Sequence, residues 1–166
     1  MFWCEYVHGR RSFDFAQDKS AVHRLKPKKP EKAMKLEKIE HIGIAVKEIS
    51  EVSKFYKDIF ECQISEEIDV PERKLRIAFT EISGVKLEFL MPTDSGSVVA
   101  KFIDKKGEGI HHICFEVEDV ERAITELKEK GVELVDDKPR LGAEGKKIIF
   151  IKPKSTHGVL IELKEK

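Results

Sequence analysis

What this 166-residue chain has little of narrows its class before any motif is read. Its three cysteines (Cys4, Cys62, Cys114) are an odd number without a CxxC pair, so neither a disulfide framework nor a closed thiolate zinc site is on offer. That usage points to a reducing compartment and a cytoplasmic protein. Apolar runs such as residues 148–151 and 159–161 fall far short of the roughly 20 residues of a membrane-spanning helix. Net charge is also missing: Lys plus Arg (31) equals Asp plus Glu (31), which leaves no basic field to recruit nucleic acid or an anionic membrane. What is present is an apolar fraction of 40%, enough to build a core, and a charged fraction of 37%, which makes the surface ion-rich. The length suits one domain or two small units sharing a core.

Residues 1–33 differ from the rest. They hold the only tryptophan, Trp3, and end in the run LKPKKPEK, whose prolines and lysines read as an extended, solvated linker. No apolar stretch of secretory length follows their charges, so they read as a dispensable leader, with Met34 as a candidate start of translation. The folded domain is expected over residues 34–166.

From residue 35 onward the sequence repeats itself. HIGIAV at residues 41–46 and HICFEV at residues 112–117 both alternate like strands and run into a helical spacing of apolar residues, the second copy 71 residues after the first. In the first copy Ile49, Val52, Phe55 and Tyr56 mark the helix, which ends near Ile59 and Phe60; in the second, Val120, Ala123, Ile124 and Leu127 do so, and Gly131 stops it. Three strands are expected after each helix, at residues 63–68, 75–81 and 85–90, then at 133–135, 147–151 and 159–163. GVKLEF (84–89) matches GVLIEL (158–163) in the last of them. Each module is therefore βαβββ, over about 36–95 and 108–164, in an α+β fold. A short helix capped by Ser97 and ended by Gly107 and Gly109 joins them. A four-stranded sheet with one helix cannot cover both faces, so the two copies are expected to pair their sheets around a cleft.

Superimposing the copies places His41 with His112 and Glu88 with Glu162. Two imidazoles and two carboxylates suit a divalent ion such as Zn, Co, Ni or Mn at an open, catalytic site. Packing alone does not require both copies to keep a His and a Glu at matched positions. By strand parity, Glu40 and His111 are expected on the opposite face from the histidines that follow them. His8, His23 and His157 lack repeated partners.

The repeat with its His, Glu, His, Glu set resembles the vicinal oxygen chelate superfamily over residues 36–164. KLEFLMP (86–92), GEGIHHICFEV (107–117), RLGAEGKKIIF (140–150) and PKSTHGVLIEL (153–163) narrow the resemblance to its methylmalonyl-CoA epimerase family. The resemblance implies the vicinal oxygen chelate fold with a metal-containing cleft. It also implies metal ligands His41, Glu88, His112 and Glu162, an acyl-CoA substrate, and a homodimer. Such an enzyme removes and returns the proton between a thioester and a carboxylate; the expected bases are Glu162 and either Glu88 or Glu72. A catalytic glutamate of some members aligns near Ile77, where this chain departs from the pattern. Lys154 and Ser155 are expected at the substrate carboxylate, Lys146 and Lys147 near phosphates. Two other readings share these residues: a glyoxalase I-type lyase with the same ligand set, and a metal-free small-molecule binding protein. An iron dioxygenase would use two His and one carboxylate, and the fourth ligand argues against it.

Overall fold

The computed structural model describes residues 34–166, and the leader expected over residues 1–33 lies outside the described residues. The first βαβββ unit is β1 (Ile39–Ala45), α1 (Ile49–Phe60), β2 (Ile68–Val70), β3 (Leu75–Ile82) and β4 (Val85–Pro92). The linker helix α2 (Val98–Lys106) leads to β5 (Gly109–Val117), α3 (Val120–Glu129), β6 (Arg140–Leu141), β7 (Lys147–Ile151) and β8 (Ile161–Glu165). The α+β architecture and the duplication are those expected from the repeat.

The sheets join differently from the expected pairing. All eight strands form one mixed sheet, ordered β2-β3-β4-β1-β5-β8-β7-β6. The units meet edge to edge where β1 runs antiparallel to β5. Each unit's first strand pairs in parallel with its last and has one edge left over, and mutual pairing removes both open edges at once. The sheet curls until its two ends approach: Arg73, in the turn before β3, donates from Nη2 to the Leu141 carbonyl in β6 at 2.7 Å.

Strand alternation sorts the side chains onto the two faces. Phe89 is fully buried with Val46, Ile49 and Ala78, and Tyr56 of α1 packs against this group. In the second unit Val120, Ala123, Ile124 and Leu127 of α3 bury against Ile149, Ile151 and Leu163. The intervening residues Glu88, Leu90, Glu162 and Lys164 line a cavity enclosed by the curl. The β3–β4 hairpin turns through Ser83 and Gly84, both at positive φ, as a tight two-residue loop requires. Among the described residues no helix is long and apolar enough to cross a membrane.

Two expected strands are shorter than their alternation suggested. Residues 63–68 pair only at their end, where β2 begins; upstream, Ser65 bonds through its N–H to the Phe79 carbonyl and receives the Phe79 N–H on its Oγ. Residues 133–135 make a single bridge, Leu134 to Ile151, at one end of β7, and Arg140–Leu141 pairs with its other end. Both lie at the ends of the sheet, where no further strand holds a long register.

The linker helix is capped as expected: Ser97, 2% exposed, accepts on its Oγ from the N–H groups of Val99 at 3.1 Å and Ala100 at 3.5 Å. Ser97→Ala is expected to lower unfolding free energy by about 1 kcal/mol. Urea denaturation checks this, and an unchanged midpoint would remove the cap from the account.

Candidate metal centre and its cavity

Each of four strands brings one residue to the floor of the cavity: His41 from β1, Glu88 from β4, His112 from β5 and Glu162 from β8. The seam and the two parallel pairings make these strands neighbours, β4-β1-β5-β8. The two Nε2 atoms lie 2.9 Å apart. Glu88 Oε2 is 3.5 Å from His41 Nε2 and 3.9 Å from His112 Nε2; Glu162 Oε2 is 3.7 Å and 3.1 Å from the same atoms. Bonds of about 2.1 Å to a common ion would separate adjacent donors by about 3.0 to 3.4 Å and opposite ones by about 4.2 Å, and the separations here, 2.9 to 3.9 Å, lie close to that span. All four residues are buried. Among the described residues neither Glu88 nor Glu162 makes an ion pair with a lysine or arginine. Two buried carboxylates facing two imidazoles and no fixed cation form a donor set suited to a borderline divalent ion.

Gly43 makes room for one of these rings. It lies directly opposite His112 across the seam, and a Cβ on Gly43 would stand 2.2 Å from His112 Cε1 and 2.5 Å from Nδ1. His112 also stacks against Phe150, centroids 5.5 Å apart. The equivalent pairing one step along the seam sets His41 opposite Cys114, which is fully buried.

Glu40 and His111 depart from the parity expectation. The β1–β5 register slips between Ile39 and His41, leaving Glu40 as an extra residue in β1. It slips again between Gly43 and Ile44, leaving His111 as an extra residue in β5. A bulge breaks strict alternation, and both side chains turn toward the residue that follows them. Glu40, 7% exposed, accepts from His41 Nδ1 in a short contact, and His111 Nδ1 is 3.0 Å from His112 Nδ1. Glu40 Oε1 also holds Lys164 Nζ at 3.1 Å and Lys86 Nζ at 3.2 Å, and Glu144 from the loop after β6 binds the same two ammonium groups at 2.6 and 3.0 Å. The sequence signal for this shell was the repeat itself, which matches Glu40 with His111 just as it matches the histidines that follow.

The environments drive the titrating groups apart. The His41 hydrogen bond, with the Lys164 bond and both charges adding, outweighs burial and holds the Glu40 carboxyl far below the usual range. Burial alone would depress the His41 imidazole, but Glu40, Glu88 and Glu162 outweigh it and raise it. Burial raises Glu88 despite both imidazoles; in Glu162 burial acts the same way but the His112 bond and the imidazole charges win, and the group is lowered. His111 is pushed down to about 4, by burial first and then by the charge of His112. Buried Cys114 is raised by desolvation and carries no reactive thiolate.

The cavity has a volume of about 490 Å³, and its wall includes Glu72, exposed on the turn before β3, with Arg73, Arg140, Lys146 and Glu144. Lys154 and Ser155 do not line it. Lys154 Nζ binds Glu133 at 2.9 Å, and Ser155 Oγ takes the Glu133 N–H, because the 3-10 turn carrying them folds back on the second unit's outer loop. Lys147 also lies off the cavity, engaged by Glu121, whereas Lys146 lines it. Ile77 is 3% exposed in the apolar cluster with Leu75 and Leu90, so it holds no hidden base.

The curled eight-stranded sheet with a His, Glu, His, Glu floor defines the class: the chain belongs to the Glyoxalase/Bleomycin resistance protein/Dioxygenase superfamily, whose family model matches residues 40–150. Epimerases are among the similar proteins. The mitochondrial methylmalonyl-CoA epimerase of Mus musculus is 36% identical over 75% of this chain and 71% of its own length. Ethylmalonyl-CoA/methylmalonyl-CoA epimerase of Cereibacter sphaeroides is 35% identical over 75% of this chain and 95% of its own. A variant of Streptomyces coelicolor methylmalonyl-CoA epimerase, solved in complex with 2-nitronate-propionyl-CoA, is 36% identical. It superimposes with a TM-score of 0.73, covering 79% of this chain and 95% of that one.

Proposed function

We propose that this protein is a methylmalonyl-CoA epimerase, an isomerase that inverts the carbon between the thioester and the free carboxylate. The observation that carries the reading is the convergence of His41, Glu88, His112 and Glu162 on the cavity floor, in a chain whose relatives perform that reaction. Those four residues would hold a Co, Ni, Zn or Mn ion. Such an ion supplies positive charge where negative charge develops on the thioester oxygen, an effect worth several kcal/mol of barrier.

The chain's own residues handle the proton. Glu162, held ionised by His112, takes the α-proton; the C–H bond breaks and its electron pair moves into the thioester carbonyl. Glu72 is the second acid, returning a proton to the opposite face; it stands on the cavity wall away from the floor, and among the described residues it is free of ion pairs. Glu88, raised by burial, completes the ligand set and is the alternative partner. Arg73, Arg140 and Lys146 at the wall suit the phosphates and carboxylate of the substrate. A homodimer belongs to the same reading and rests on the family resemblance, and a cytoplasmic location rests on the cysteine usage.

Proton NMR of methylmalonyl-CoA in heavy water tests it. The metal-loaded enzyme is expected to exchange the α-proton of both epimers. Glu162→Gln and Glu72→Gln are each expected to slow epimerisation by about 100- to 10,000-fold. A wild-type protein that leaves the α-proton in place sinks the function, and a Glu72→Gln variant with normal turnover takes Glu72 out of it.

A further inference from the structure

Each imidazole of the floor is held from behind by the residue that precedes it in sequence, and the two holders occupy matched places in the duplicated units. Glu40 is the extra residue of the β1 bulge and accepts from His41 Nδ1; His111 is the extra residue of the β5 bulge, with its Nδ1 3.0 Å from His112 Nδ1. We propose that Glu40 and His111 are positioning residues, fixing which nitrogen of His41 and His112 is presented to the cation and locking both rings in that orientation. The proposal rests on the reading of the four floor residues as a metal site.

A neutral imidazole carries its hydrogen on one nitrogen only, and a partner at Nδ1 leaves the Nε2 lone pair free to ligate. Both Nε2 atoms here face each other across 2.9 Å and face the carboxylates, the arrangement that bonds at Nδ1 enforce. The two holders differ in chemistry. Glu40 is a carboxylate clamped by Lys164 and Lys86, so its acceptor oxygens cannot swing away from His41. His111 is a ring packed edge-on against Phe102, centroids 5.0 Å apart, and among the described residues no ion pair clamps it. His41 is therefore the firmly anchored ligand and His112 the more compliant one.

Cobalt(II) binding to the purified full chain, read by chelator competition and by visible absorption, tests this apart from catalysis. Loss of an outer partner of this kind costs about 10- to 100-fold in metal affinity. Glu40→Ala is expected to lie in that range with a shifted absorption envelope, and Glu40→Gln, which keeps an acceptor but not the charge, to lose less. His111→Ala is expected to weaken binding about 10-fold, and His111→Asn, whose amide oxygen can accept in place of the ring nitrogen, to restore it. Thermal denaturation in chelator confirms that each variant is folded. A merely structural Glu40 would lower that melting temperature while leaving the cobalt spectrum of the folded protein unchanged. Wild-type affinity and spectrum in Glu40→Gln, Glu40→Ala and His111→Ala would overturn the proposal, whereas a wild-type chain that binds no cobalt would overturn the metal-site reading beneath it.

Discussion

Gly43→Ala is expected to disable the centre although Gly43 offers no ligand of its own. The added methyl carbon would stand 2.2 Å from His112 Cε1, 2.5 Å from Nδ1 and 2.9 Å from Nε2, well inside contact distance of the whole ring edge. The clash falls on a ring already confined by Phe150 and His111. Either the ring swings off the floor or the β1–β5 seam opens, and both separate His112 from Glu162. Overpacking of this kind costs about 1 to 3 kcal/mol of stability. The loss of metal should be larger, at least about 100-fold in affinity, because a ligand is displaced rather than merely loosened. Denaturation measured in chelator separates the two effects. An alanine variant that binds the ion as wild type does would mean the ring does not need this gap, and the geometry of the floor would have to be redrawn.

His112→Ala should leave the fold standing and remove the chemistry. The ring faces the cavity, so its loss opens space there rather than in the apolar clusters beneath α1 and α3. In chelator the variant is expected to melt close to the wild-type chain. Added metal at 100 times its dissociation constant should then stabilise the wild type by about 2.7 kcal/mol and leave the variant unmoved. Epimerisation is expected to fall by about 1000-fold or more, since an effect of several kcal/mol on the barrier is lost. Wild-type turnover by this variant would remove His112 from the site.

The residues of the floor were legible because the sequence states them twice. Duplication turned two unremarkable strand histidines and two strand glutamates into matched pairs, and alternation around Phe89 and Leu163 fixed which face the carboxylates take. The strands and helices around them followed from apolar periodicity, and α2 from its Ser97 cap. What stayed hidden depends on partners rather than on local pattern. Strand parity misleads for Glu40 and His111 because a bulge is a property of two strands in register, invisible in either alone. The ends of the sheet differ for a related reason: alternation at residues 63–68 and 133–135 signals a willing strand without showing how far a neighbour pairs with it. The loop motif around Lys154 suggests a substrate contact, but in a chain with so many lysines the one that meets a cavity is chosen by tertiary position. Glu133 beside it supplies a nearer partner.

The pairing of His41 with Cys114 and of Gly43 with His112 across one antiparallel seam has an evolutionary consequence. Half of this polypeptide contributes a single imidazole and a single carboxylate to the floor, too few to retain an ion, and without the other half the strand that carries its histidine would be an open edge. A half-length ancestor would have acquired the complete quartet only by meeting its twin about a two-fold axis through that edge, so cation capture and dimerisation would have been one event. Within one chain the two sides need not be identical, and here one backs its histidine with a carboxylate and the other with a second ring.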